Sequence, residues 1–205
     1  LRENFSELYE ESSKMLDLQK DDLIIDIGSN DGNLLSNFKD NHRVLGVTPE
    51  EVGKIAIEKG IPTIIDYFNE DVVEAILKEH GKAKVITATN VFAHIDEPNK
   101  ITQLISRLLT DDGVFINESH YLASLVETLQ YDTIYHEHLR YYSMASLKFL
   151  LEKNNLTPFF AKKIPTHGGS IRVYAAKSDL QSIDQSIETI LDDEAETISI
   201  ESLHK

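Results

Sequence analysis

From residue 21 onward the chain alternates short apolar runs with amphipathic stretches. "DLIIDIG" (22–28) has apolar residues on both faces and no alternation, which predicts a strand covered on both sides. "GNLLSNFKD" predicts a helix, "RVLGV" a strand, and "EEVGKIAIEKG" a helix ending on Gly60. "IPTIID" reads as the third strand and "NEDVVEAILKEHG" as the next helix, with Asn69 as N-cap and Gly81 past its end. "AKVITATN", then "DEPNKITQLISRLLT" with Pro98 near its start, then "GVFINES" continue as strand, helix and strand. A tyrosine- and histidine-rich run, "YDTIYHEHLRYYS", interrupts the pattern before the helix "SMASLKFLLEKNN". "LTPFFAKKIP" and "SIRVYAAK" close the series as strands, and their short connection makes them antiparallel neighbours. Repeated strand–helix alternation predicts an α/β fold with a mostly parallel sheet and helices on both faces.

The pattern divides the chain into an N-terminal helix (1–20), one α/β domain (21–178) and an acidic C-terminal helix (179–205). In the last segment Ile183, Ile187, Ile190 and Leu191 share one stripe, and this helix is expected to lie outside the catalytic core.

Composition narrows the function. Net charge is −15, and about half of it sits in residues 179–205, where eight acids face one lysine. Such a balance argues against a nucleic-acid backbone as partner. No apolar run approaches the roughly 18 residues of a membrane span. The charged, helix-like N-terminus is not a signal peptide, and a cytoplasmic location is expected. With no cysteine, disulfides and thiolate metal sites are excluded.

The first strand runs into "DIGSNDG", at the carboxyl edge where open α/β sheets bind ligands. Gly28 allows a sharp turn and a close approach, and Gly32 is expected to open a helix whose free N–H groups face the ligand. The Gly-x-x-x-Gly spacing differs from the nicotinamide fingerprint. Asp26 beside the crevice suits a cationic ligand better than a pyrophosphate, and S-adenosylmethionine is such a ligand. Ser29 and Asn30 belong to the same turn. At the end of the second strand, where a carboxylate usually takes the ribose, stands Thr48; Glu50 or Glu51 could substitute, or could be first-turn helix acids. Asp66 is placed for the adenine amine or for a turn, and Phe68 and Asn90 complete the expected cofactor set.

Four stretches, "IDIGSNDGNLL", "NVFAHIDE", "YDTIYHEHLRYYS" and "HGGSIRVY", resemble the sugar C-methyltransferases over roughly residues 5–178. The resemblance implies a Rossmann-like class I methyltransferase with a seven-stranded sheet. It further implies C-methylation beside the ketone of a nucleotide-activated 4-ketosugar, with S-adenosylmethionine converted to S-adenosylhomocysteine. Tyr135, Glu137 and His138 take the family's active-site positions, with His94 completing the cluster. "HGGSIR" implies substrate binding by His167, Gly168, Gly169, Ser170 and Arg172, although Arg172 alone would read as an ion-paired strand residue. Tyr141 and Tyr142 read as wall or core aromatics. The family usually carries a cysteine-built zinc module and a further C-terminal domain, so a homo-oligomer or a partner subunit is expected in their place.

Histidine has the unperturbed pKa of a base working near neutrality, so His138 is the expected base, with Tyr135 or His94 polarising the ketone. His136 and His138, with Glu137 or His120 nearby, lack a diagnostic metal spacing, and no metal is expected. O- or N-methylation of a small molecule, or a non-catalytic partner subunit, are the alternatives.

Overall fold

Those apolar runs form seven strands of one sheet in the computed structural model, which describes residues 2–177 and 181–198. The strands are β1 (Leu23–Ile27), β2 (Arg43–Thr48), β3 (Thr63–Ile65), β4 (Ala83–Thr89), β5 (Leu109–His120), β6 (Thr157–Ile164) and β7 (Ser170–Ala176). Their order is β3-β2-β1-β4-β5-β7-β6. The pairs from β3 across to β5 are parallel, while β7 runs antiparallel to both β5 and β6. Strand order reverses beside β1 and β4, so a ligand crevice is expected at their carboxyl ends.

The helices are α1 (Arg2–Leu16), α2 (Gly53–Glu58), α3 (Glu70–Glu79), α4 (Pro98–Leu108), α5 (Leu122–Glu127), α6 (Met144–Lys153) and α7 (Gln185–Thr197). Two apolar layers sandwich the sheet. Leu23, Ile25 and Ile27 of β1 join Val73, Ile105 and Leu151 in one layer, whereas Ile24 joins Leu8 and Phe38 in the other. Both faces of β1 are therefore covered, which is why it lacks alternation. Asn69 caps α3, its side chain accepting from the Val72 N–H at 2.9 Å.

Two expectations need correction. The stretch "GNLLSNFKD" forms a single 3-10 turn, Leu35–Asn37, and no α-helix. The Ser36 hydroxyl donates to the Gly32 carbonyl at 2.9 Å, and the Asn37 amide donates to the Asn33 and Leu34 carbonyls at 3.1 Å. These local bonds compete with the helical ladder. Gly32 therefore opens no helix toward a ligand; a Cβ there would meet Ile61 and Ala56 at 2.7 and 2.9 Å, so this glycine serves packing.

The acidic C-terminal helix is not an appendage. In α7, Ile187 and Ile190 are buried in the same apolar layer as β1 and β4, and Leu191 packs against it. Glu194 is buried as well, accepting from the N–H groups of Met144 and Ala145 and from the Tyr121 hydroxyl. It thereby satisfies the open N-terminus of α6. Ile183 precedes the helix and is 60% exposed, so it leaves the expected stripe. Residues 178–180, at the expected domain boundary, and 199–205 of the tail lie outside the described residues.

Candidate active site

The chain leaves β1 through Gly28, which adopts φ +75°; a Cβ there would stand 2.5 Å from Val91 Cγ2. Only glycine fits that combination of turn and contact. Above it lies a cavity of about 410 Å³, lined by Gly28, Val47, Pro49, Tyr67, Phe68, Val91, Ile101 and Leu104, with Asp96, Glu97 and Lys100 at its edge. A second cavity, of about 190 Å³, is lined by Asn90, Ala93, His94, Ser119, His120, Tyr135, His138 and His167. His94 lines both.

The "YHEH" residues sit on an irregular segment tied down at several points. The Leu139 N–H donates to the Ala93 carbonyl at 2.9 Å, and Arg140 donates to the carbonyls of Ile95 and Asp96. The Tyr142 hydroxyl donates to the Phe92 carbonyl at 3.2 Å, and its ring is buried; burial also raises its pKa. The Tyr141 hydroxyl donates to the Thr133 carbonyl at 2.9 Å. Both tyrosines are thus scaffolding, as read from the sequence.

Within this frame four imidazoles form a row. His138 stands between His94 and His120, with ring centroids 5.1 Å away on each side, and His167 lies 5.6 Å beyond His120. His138 Nδ1 lies 3.0 Å from the Thr133 carbonyl, an acceptor, so Nδ1 carries the proton and Nε2 keeps the lone pair. The Tyr135 hydroxyl donates to that Nε2 at 2.9 Å. By the same logic His94 Nδ1 donates to the Glu137 carbonyl at 2.9 Å. Glu137 is exposed and holds His94 by its backbone; its side chain takes no part in these bonds. Among the described residues, no three His, Asp or Glu side chains are arranged to hold a metal ion.

His120, which the sequence motifs did not single out as a site residue, ends β5 and lines the smaller cavity. Its half-burial, then the nearby imidazoles of His138, His167 and His94, lower its pKa from the usual histidine value. Both effects favour its neutral form. Its place at the carboxyl end of a central strand was the available signal.

The remaining expected residues divide. Phe68 lines the larger cavity, and Asn90 and His167 the smaller. Ser29 is buried with its hydroxyl unpartnered, and the Asn30 amide closes the turn onto the Gly28 carbonyl at 3.0 Å. Asp26 lies beneath the glycine loop, 2% exposed, and accepts from the Thr87 hydroxyl at 2.7 Å. Burial pushes its carboxyl up to about 7. Thr48 is 1% exposed, and its methyl faces Gly53 in α2, so it does not meet the crevice. The Asp66 carboxylate accepts from the Tyr67 N–H at 2.7 Å, the turn role.

Of the "HGGSIR" residues, His167 reaches the cavity, at φ +51°. Gly168 and Gly169 pack closely against Gln130 and Ser124, and the Ser170 hydroxyl donates to the Thr166 carbonyl. Arg172 is a structural residue. It is 0% exposed and donates to Glu118 at 3.1 Å, Glu11 at 3.0 Å and the Asn4 side-chain oxygen at 2.7 Å, tying α1 to the sheet. Its charge is satisfied inside the fold, which leaves none for a substrate.

Residues 1–158 match the methyltransferase-domain family. The chain is 38% identical over 157 residues to the C-methyltransferase NovU of Streptomyces niveus, covering 76% of this chain and 37% of that protein. The chain thus spans little more than a third of that relative's length. Among solved structures, it resembles the magnesium protoporphyrin IX methyltransferase of Synechocystis PCC 6803 with bound SAH (TM-score 0.65, 16% identity, covering 86% of this chain and 83% of that one). It resembles a S-adenosylmethionine-dependent methyltransferase from Clostridium acetobutylicum similarly (TM-score 0.66, 15% identity, 86% and 92%).

Proposed function

Because the chain belongs to the class I S-adenosylmethionine-dependent methyltransferases, we propose that it methylates the carbon beside the ketone of a nucleotide-activated deoxy-ketosugar, with His138 as the base. One observation carries the reading. His138 has its Nδ1 proton committed to Thr133 and its basic Nε2 in a cavity that adjoins the one over Gly28.

The larger cavity fits the cofactor: glycine in its lining, the aromatic and aliphatic faces of Tyr67, Phe68, Ile101 and Leu104, and the Asp96 carboxylate for a cation, Glu97 being paired with Lys100 at 3.9 Å. Gly28, Tyr67 and Phe68 would hold it there. When bound, S-adenosylmethionine supplies an electrophilic methyl group.

The chain's own work is on the acceptor. His138 Nε2 takes the proton from the carbon, and the C–H electron pair passes toward the ketone oxygen as an enolate. The Tyr135 hydroxyl holds that lone pair, so the substrate's C–H takes its place; Tyr135 is 43% exposed and free to turn away. His94 stands where the cavities meet and lines the path between carbon and methyl donor. Holding the two reactants aligned supplies much of the acceleration.

Proton abstraction is visible without a methyl donor, as deuterium exchange beside the ketone. His138→Ala is expected to lose roughly 10²–10⁴-fold in both exchange and methylation while binding S-adenosylmethionine like the parent. Exchange at the parent's rate would show that another group is the base. Methyl gain by an alcohol or amine, with no exchange on any nucleotide ketosugar, would replace carbon by heteroatom methylation.

A further inference from the structure

An enolate oxygen needs a hydrogen-bond donor, and most donors in the smaller cavity are already committed. The His94 Nδ1–H donates to Glu137 and the His138 Nδ1–H to Thr133, while the Tyr135 hydroxyl, bonded to His138 Nε2 until the substrate displaces it, is carried by an exposed loop and turns outward. The Ser119 hydroxyl donates to the Asn117 side-chain oxygen at 3.0 Å. Among the described residues no acceptor takes the side-chain donors of Asn90, His167 and His120, and of these three His120 is the one in ring contact with the base.

Resting on carbon methylation with His138 as base, we propose that His120 is a catalytic residue, donating a hydrogen bond to the ketone oxygen as it becomes an enolate.

The placement suits that role. A ketone oxygen lies about 2.4 Å from its α-carbon, as ordinary covalent bond lengths and angles dictate. Two imidazoles 5.1 Å apart can therefore address the two atoms of one substrate, Nε2 of His138 the C–H and an N–H of His120 the oxygen. His120 is carried by β5, paired with Ser170 of β7, so its donor is held by the sheet and not by the exposed loop. A preorganised donor needs no rearrangement during the reaction. Facing it are the imidazoles of His94, His138 and His167, which together with burial oppose its protonation. A neutral imidazole can polarise a carbonyl without competing with the base for the proton. As His138 becomes an imidazolium, its charge disfavours a second cation at His120 still further. The balance is simple: His138 gains the proton, the oxygen gains the electron pair, and His120 gives up none of its atoms.

The test uses the full chain, S-adenosylmethionine and a nucleotide 4-ketosugar on which the parent is active. His120→Phe is expected to lower kcat for methylation and the exchange rate by roughly 10²–10³-fold, with a much smaller change in KM. S-adenosylmethionine affinity and thermal midpoint should stay near the parent's. His120→Asn, which keeps an N–H donor, should recover part of the loss. The acidic limb of its pH–rate profile should remain where the parent's lies. Loss of that limb in His120→Asn would make His120 the base and overturn the proposal. So would a folded His120→Phe with parental kcat. If the parent itself neither exchanges nor carbon-methylates any nucleotide ketosugar, the underlying function fails and this role falls with it, a result told apart by the parent alone.

Discussion

Asp26→Asn is expected to stabilise the fold, and by an amount that depends on pH. Burial raises the Asp26 carboxyl from 3.8 to about 7, against a smaller lowering by the hydrogen bond from Thr87. A carboxyl raised on folding binds its proton more tightly in the folded state. Below pH 3.8 it is protonated in both states, and folding bears no cost. Between 3.8 and about 7 folding must protonate or bury a charge, and stability falls by about 1.4 kcal/mol per pH unit. Across the window of about three units the cost reaches roughly 4 kcal/mol and then levels off. Asparagine is nearly isosteric, keeps an oxygen to accept from Thr87, and carries no titrating proton. Urea unfolding of parent and variant from pH 4 to pH 8.5 should give curves that diverge as pH rises, the variant gaining most above pH 7. Parallel stabilities at pH 5 and pH 8.5 would refute the reasoning, since they would mean that Asp26 ionises as freely folded as unfolded.

Gly28→Val places a branched side chain on a φ +75° backbone against Val91, so it should abolish S-adenosylmethionine binding in calorimetry; parental affinity in a folded variant would put the cofactor elsewhere. Thr48→Glu should lower the thermal midpoint, by an unfolding cost of a few kcal/mol, and leave cofactor affinity no tighter, because the carboxylate would be buried against α2. A tighter complex would show that the position faces the ribose after all. Arg172→Ala leaves the buried Glu118 carboxylate without its ion pair, held by the Asn4 amide, and should cost roughly 3–5 kcal/mol by denaturant unfolding; a cost below about 1 kcal/mol would show that Arg172 is replaceable. Ile190→Ala should cost roughly 2–5 kcal/mol in the same assay, whereas a helix outside the core would lose almost nothing.

The strands were legible because their apolar runs are covered on both faces, and α3 because Asn69 caps it with a side chain whose chemistry is local. What a side chain faces was less legible. Thr48 stands at the expected strand end, yet strand alternation turns it toward α2 while Val47 and Pro49 line the crevice. The motif around Arg172 suggested a substrate contact, but its partners Glu11, Glu118 and Asn4 are supplied by α1 and β5, which no local pattern reveals. The stretch from Gly32 has helical periodicity, and hydroxyl and amide back-bonding overrides it. The histidine row is the same case on a larger scale. His94, His120, His138 and His167 come from four separate segments, and topology alone assembles them.

The tie between Asn4 and Arg172 joins positions 168 apart in the chain. The α1 helix, which also meets Glu118 of β5 and Lys162 of β6, therefore completes its polar contacts only when β7, near the other end of the described chain, has been made and paired. Closing so long a loop is entropically slow to reward, so this clasp belongs to the late side of the folding barrier. Its strength then bears on how long the native molecule lasts before opening more than on how fast it forms. The buried ion network works as a latch on lifetime, set in the antiparallel part of the sheet, away from the parallel strands that can pair earlier.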